Sequence, residues 1–375
     1  MSRPIFDLCG MRDEVVKPLP RSAVRPAPGG PNPDVLRSVP RASLGPWSEP
    51  MSDVKGSARH LISVDDLDDG ALEWIVRRGR EYAEGRLESA QPLRGHVVGV
   101  LFRKTSTRTR TAFSAGALRL GAQLITYGPD DLQENTGETV ADTGAVLSRM
   151  LDALVARTAG PTGELRDYAA QSRMAVINAM SAAEHPTQAL TDLTTLLSRF
   201  DRIKGLRVLY IGEGNNTASA LALALSRYSS TALYLRTPPG YGVEEGCIER
   251  AEAHAARAGA LVEQRHDMDR LPEVDVVYTT RWQTTGTAKP DPAWREVFAP
   301  FQVDAAVMAR NPGAVFMHDL PAHRGEEVTA DVLDGPRSIA FEQAENKYHS
   351  ARAVLEWCLG AGAESARADR EVTAR

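Results

Sequence analysis

The segment Phe102-Arg103-Lys104-Thr105-Ser106-Thr107-Arg108-Thr109-Arg110 joins an apolar run to a stretch in which Phe113, Gly116, Ala117 and Leu120 recur at helical spacing. A loop that ends in a helix start offers unpaired N–H groups and the positive end of the helix dipole, which together favour an anion. Ser106, Thr107 and Thr109 add hydroxyl donors, and Arg108 can hold a phosphate through two parallel hydrogen bonds. Phosphate binding is the chemistry to expect, against the plain alternative of a well-capped helix start with solvated arginines.

A second group, His185-Pro186-Thr187-Gln188, opens another predicted helix, with Pro186 at its first position. His185 and Gln188, three residues apart, share one side of the first turn. An imidazole N–H polarises a carbonyl oxygen while an amide oxygen accepts from an NH2 group, so the pair matches the two ends of a carbamoyl group. Arg157, at the end of a predicted strand, supplies a second donor to the same oxygen. The competing reading makes His185 a helix cap. The third group runs from Met317 to Glu327 after a buried strand. Its His318, His323 and Glu326 raise the question of a metal, but Pro321 breaks any shared helical face, and no metal is expected. The backbone carbonyls of that loop suit an NH2 group better.

Such groups meet only on a scaffold that gathers strand ends and helix starts. An amphipathic helix is expected from Ser63 and Asp66, which read as a capping box, through Leu72, Ile75 and Val76. Strands are expected at 97–102, 124–127, 154–157 and 175–178, with a helix through Val140, Leu147 and Leu151. A long helix from Pro186 to Phe200 bridges to a second alternation. Its strands are at 206–211, 232–235, 260–263, 275–279 and 314–317, with helices after Asn216 and through Ile248 and Ala251. A last helix covers about 345–359. The fold class is α/β, with two doubly wound parallel-sheet domains joined by long helices. The expected divisions are a disordered Pro/Arg-rich arm at 1–57, a first domain at 58–190, a second at 191–340, a returning helix at 341–361 and a polar tail at 362–375.

The 375 residues, 42% hydrophobic and 25% charged, suit two globular domains. A net charge of −5 gives no general attraction to nucleic acid or anionic membrane. The three cysteines, Cys9, Cys247 and Cys358, show no paired spacing, which fits reduced thiols in the cytoplasm. No run approaches the ~18 apolar residues of a membrane span.

Taken in order, Ser106-Thr107-Arg108-Thr109-Arg110, Arg157, His185-Pro186-Thr187-Gln188, His318-Asp319-Leu320-Pro321 and Ala344-Glu345-Asn346 resemble the aspartate and ornithine carbamoyltransferases. The resemblance spans His60 to Leu359. It is nearer the ornithine branch, through Gly212-Glu213-Gly214-Asn215-Asn216 and the run from His318 to Glu327. It implies carbamoyl transfer from carbamoyl phosphate to the amine of a small amino acid, no cofactor, and a trimer with sites at subunit boundaries. By position, Ser106, Thr107, Arg108, Thr109, Arg157, His185, Gln188, Leu320 and Lys347 bind carbamoyl phosphate, with Arg157, His185 and Gln188 catalytic. Asn216, Arg281, Gln283, Thr284, Asp319 and Met180 bind the acceptor.

Several positions depart from the ornithine pattern. Thr280-Arg281-Trp282-Gln283-Thr284-Thr285-Gly286 stands where ornithine enzymes read Asp-x-Trp-x-Ser-Met-Gly, and its Thr-Arg-x-Gln start is similar to aspartate enzymes. Asp319 replaces a cysteine, Lys347 replaces an arginine, and no basic residue occurs near 136–139. These departures point to a diamino acid shorter than ornithine, such as 2,3-diaminopropionate, with its carboxylate on Arg281 and spare ammonium on Asp319. The alternatives are ordinary ornithine or aspartate transfer, a non-catalytic carbamoyl-phosphate-binding paralogue, a direct Arg281–Asp319 pair, and a dinucleotide enzyme suggested by Gly212-Glu213-Gly214.

Overall fold

Apolar runs bounded by turn residues become strands in the computed structural model, which describes residues 58–87, 91–284 and 287–360. The expected arm at 1–57, the tail from 362 and the pair Thr285-Gly286 lie outside the described residues. In the first half, β1 (Val97–Phe102), β2 (Gln123–Tyr127), β3 (Ala153–Arg157) and β4 (Ala175–Asn178) form a parallel sheet in the order β2-β1-β3-β4. In the second half, β5 (Arg207–Ile211), β6 (Ala232–Arg236), β7 (Leu261–Arg265), β8 (Val276–Thr279) and β9 (Val315–His318) are parallel in the order β7-β6-β5-β8-β9. Inner strands β1, β3, β5 and β8 are buried nearly throughout, as helices on both faces demand, whereas the edge strands β2 and β7 are partly exposed. Within β1, a Cβ at Gly99 would lie 2.6 Å from Leu151 Cδ1, so glycine permits that contact.

The helices are α1 (Asp69–Ala83), α2 (Arg108–Arg119), α3 (Val140–Leu147), α4 (Thr162–Tyr168), α5 (Pro186–Phe200), α6 (Asn216–Leu225), α7 (Glu245–Ala258), α8 (Trp294–Phe298), α9 (Ala305–Ala309), α10 (Ala330–Leu333) and α11 (Ala340–Leu359). Helix α5 leads from the first sheet to the second, packing on α1 and α6, and α11 returns to pack on α1, α2 and α5. The Arg78–Glu356 pair, at 2.6 Å and with the Glu356 side chain fully buried, fixes the register of α1 on α11. No helix among the described residues is long and apolar enough to cross a membrane.

Three expected elements shift. Ser63 and Asp66 do form a capping box, but it closes only the 3-10 turn Val64–Asp66. Leu67 is extended, and α1 starts afresh with Asp68 accepting from the Ala71 N–H at 2.7 Å. Helix α3 stops at Leu147 because Arg149 and Met150 donate to carbonyls three residues back, tightening the turn before Leu151. Helix α11 begins at Ala340, five residues before the expected Glu345. Ile339 and Ala340 are buried there, and the Gln343 amide donates to Asp192.

Candidate active site

Each sheet reverses its strand order at one place, and open α/β sheets bind ligands at the carboxyl ends of the strands there. In the first sheet the reversal lies between β1 and β3, where Phe102 is level with Arg157. In the second it lies between β5 and β8, where Ile211 is level with Thr279. The loops after these strands, with those after β4 and β9, face one cleft of about 240 Å3. The cleft brings together every residue expected to bind carbamoyl phosphate or the acceptor: Ser106, Thr107, Arg108, Thr109, Arg157, Met180, His185, Gln188, Asn216, Arg281, Gln283, Thr284, Asp319, Leu320 and Lys347. A larger cleft, about 480 Å3, lies by the far end of α5. Its Arg80 is paired with Glu84 at 2.8 Å and Asp201 at 2.6 Å, and it holds none of these groups.

On the first side, Thr107 is the cap residue of α2, yet its side chain makes no cap hydrogen bond. The well-capped alternative therefore fails, and the helix start is open to an anion. Arg157 donates to Ser106 Oγ at 3.4 Å, while its Nε is buried without a partner. Burial pulls the Arg157 guanidinium down to about 10, with the Asp319 charge opposing and Arg108 assisting. Burial also lowers Arg108, against the opposite pull of Asp319. Both guanidiniums are thus held partly desolvated and keep their charge at neutral pH.

His185 occupies the cap position of α5 but makes no cap bond with its side chain. Its Nδ1 lies 3.2 Å from Thr187 Oγ1. A hydroxyl donating there leaves the proton on Nε2, the nitrogen free for a substrate oxygen. Burial first, then the Lys347 and Arg157 charges, hold the imidazole well below its ordinary pKa, so it is neutral. Gln188 is more occupied than its sequence suggests. Its Nε2 donates to Asp192 Oδ1 at 2.7 Å, and its Oε1, the expected acceptor for an NH2, receives Lys347 Nζ. Burial pulls the Lys347 ammonium down and pushes the Asp192 carboxyl up. Asp192 also accepts from Gln343 at 2.7 Å and Tyr278 at 3.0 Å. Its place four residues after Gln188 on one helix was the available signal for it.

The loop after β9 owes its shape to His318. Leu320 N–H donates to His318 Nδ1 at 2.8 Å, which puts the ring proton on Nε2, facing Glu327 Oε1 at 3.1 Å. That contact holds Leu320 at φ 52°, with a cis peptide to Pro321. His323, Glu326 and Glu327 are the one group of three among the described residues whose ligand atoms lie within 4.8 Å of one another. The Glu327 Oε1 already accepts from His318 and from the His323 N–H at 2.6 Å.

On the second side the expected acceptor set divides. Asn216 Nδ2 donates to Ser181 O at 2.8 Å, Gln283 Nε2 to Thr287 O at 2.7 Å, and Thr284 Oγ1 to Glu213 Oε2 at 3.1 Å. Each thus commits a donor to the protein, leaving the amides of Asn216 and Gln283 a second N–H. Arg281 makes no hydrogen bond or ion pair among the described residues, and its Nε is buried and unpartnered. The direct Arg281–Asp319 pair therefore does not form; Asp319 Oδ2 instead accepts from Thr217 Oγ1 at 3.1 Å. Thr105, Asn215, Thr217, Thr280 and Pro321 also line the cleft without having been singled out for it. Asn215 Oδ1 accepts from the Thr217 and Ala218 N–H groups, filling the helix start that a dinucleotide phosphate would need. Gly214 serves a close approach instead: a Cβ there would lie 2.0 Å from Val243 N.

Comparison with known proteins identifies the family. Residues 59–198 match the carbamoyl-P binding domain of aspartate/ornithine carbamoyltransferases, and residues 204–358 match the Asp/Orn binding domain. The ornithine carbamoyltransferase of Thermococcus kodakarensis is 40% identical over 309 residues, covering 81% of this chain and 97% of that protein. That of Bacillus subtilis is 35% identical over 310 residues, covering 82% and 96%. The solved structure of ornithine carbamoyltransferase from Pyrococcus furiosus superimposes with a TM-score of 0.76 at 36% identity, covering 81% of this chain and 98% of that one. The chain belongs to the aspartate/ornithine carbamoyltransferase family, on its ornithine branch, and is a carbamoyltransferase.

Proposed function

We propose that the chain moves the carbamoyl group of carbamoyl phosphate to the side-chain amine of ornithine. The observation that carries the reading is the single cleft in which an uncapped helix start, two partly desolvated arginines and a neutral imidazole converge. In this reading the phosphate sits on the N–H groups of α2 with Arg108 and Arg157. His185 donates to the carbonyl oxygen, and the Leu320 carbonyl and Gln188 side chain receive the NH2, Lys347 giving up its bond to Gln188 as substrate enters. A neutral amine attacks the carbamoyl carbon, the bond from that carbon to the phosphate oxygen breaks, and the amine's proton ends on the phosphate. Donors already aimed at the growing negative charge need no reorganisation, so positioning and electrostatics supply the rate.

The relatives named above put ornithine first as acceptor. A second reading, a diamino acid shorter than ornithine, is favoured by one observation at Thr280. Where the ornithine pattern has a carboxylate, Thr280 offers a hydroxyl already bound to Tyr210 at 2.8 Å and Asn215 at 3.0 Å. Steady-state rates with ornithine, 2,3-diaminopropionate, 2,4-diaminobutyrate and aspartate decide between them. The proposal expects kcat/KM for ornithine to exceed the others by at least tenfold. A preference for 2,3-diaminopropionate of that size would replace ornithine with the shorter acceptor.

A further inference from the structure

Lys289 lies outside the cleft, on the segment between β8 and α8, yet its side chain is only 3% exposed. Its Nζ stands 4.6 Å from the ring centre of Tyr241, 4.6 Å from that of Phe298 and 5.4 Å from that of Trp294. Glu213 Oε1 lies 2.5 Å from the same ammonium. Removing an ammonium from water is costly unless it is paired, and three ring faces with one carboxylate are the arrangement that repays it. Trp282 joins the cage, its ring 5.6 Å from Phe298 and 6.5 Å from Trp294.

The cage and its carboxylate connect two loops. Glu213 belongs to the loop after β5, and its second oxygen accepts from Thr284 Oγ1 at 3.1 Å. The Glu213 carbonyl accepts from Tyr210 Oη at 2.7 Å, and Tyr210 Oη lies 2.8 Å from Thr280 Oγ1. Arg281 thus sits between two buried and anchored neighbours, Thr280 and Trp282, while its own guanidinium is left unpaired among the described residues.

We propose that Lys289 is a positioning residue for the acceptor: its caged ammonium, through Glu213 and Thr284, holds residues 280–284 so that Arg281 faces the cleft. The proposal rests on the reading of Arg281 as an acceptor contact. Lys289→Met fills the cage with similar volume but removes the charge. With the best amine of the panel, it should raise acceptor KM tenfold or more. Carbamoyl-phosphate affinity measured by calorimetry should stay within twofold. Lys289→Arg, which keeps the cation and can stack on the same rings, should return KM to within threefold of the parent. An unchanged acceptor KM in Lys289→Met overturns the proposal. So does a parallel loss of carbamoyl-phosphate affinity, which would mean that Lys289 only supports the fold. Should Lys289→Met not fold, Glu213→Gln breaks the same link and carries the same expectations. Arg281→Gln separates the two ideas. If it leaves acceptor KM unchanged, the acceptor reading itself fails; if it raises KM while Lys289→Met does not, only the positioning role fails.

Discussion

Replacing Arg108 with alanine is expected to abolish measurable binding of carbamoyl phosphate. Arg108 opens α2, is half-buried, and makes no ion pair among the described residues, so its guanidinium is held in place without a fixed partner. A phosphate there meets two charge-assisted hydrogen bonds, each contributing roughly 1.5–3 kcal/mol, or together about a hundredfold to ten-thousandfold in affinity. Arg157 does not compensate, because it lies deeper and already contacts Ser106. Arg108→Lys should recover only part of the loss, since an ammonium cannot make the paired contact. Calorimetry with carbamoyl phosphate checks both variants, and parent-like affinity in Arg108→Ala would remove the phosphate from this helix start.

His185→Ala is expected to lower kcat by about a hundredfold to a thousandfold, the usual result of deleting one donor to a developing oxyanion. Binding of carbamoyl phosphate should stay near normal, because the phosphate is held by other groups. A kcat loss with intact binding identifies a donor to the carbonyl, whereas a loss confined to affinity would leave His185 only a local structural part. The pH dependence adds a check. Burial and two nearby cations keep the imidazole well below its ordinary pKa of 6.5, so it is already neutral at pH 6.5 and titrates only at lower pH. The parent enzyme should therefore show no fall in kcat near pH 6.5 attributable to His185.

Strand ends were the most legible part of this chain. Buried parallel strands are continuous apolar runs, and those ending at Phe102, Arg157 and Ile211 carried their loops into the cleft with them. Motif spacing likewise named residues that the fold brings together. Donor accounting was not legible, because it depends on partners remote in sequence. Lys347, 159 residues from Gln188, meets its amide oxygen, and Gln343, 151 residues from Asp192, meets its carboxylate. Local competition hid the state of Gln283, whose amide turns back on Thr287 within its own loop. Helices α4, α8, α9 and α10 run for only four to seven residues, too short to show a period. The acceptor shows the same division. Single substitutions point toward a shorter diamino acid, while the relatives that are similar over four-fifths of the chain are named ornithine carbamoyltransferases; one or two side chains alter a pocket without altering the scaffold that such similarity reports.

The most direct measurement follows the carbamoyl carbon itself. The enzyme is incubated with carbonyl-13C carbamoyl phosphate and ornithine, and carbon NMR and phosphate release are read together. Enzyme-dependent growth of a labelled ureido signal, matched one for one by phosphate, is the result that carbamoyl transfer predicts. Phosphate release at the spontaneous rate with no labelled ureido product from any amine of the panel would contradict it.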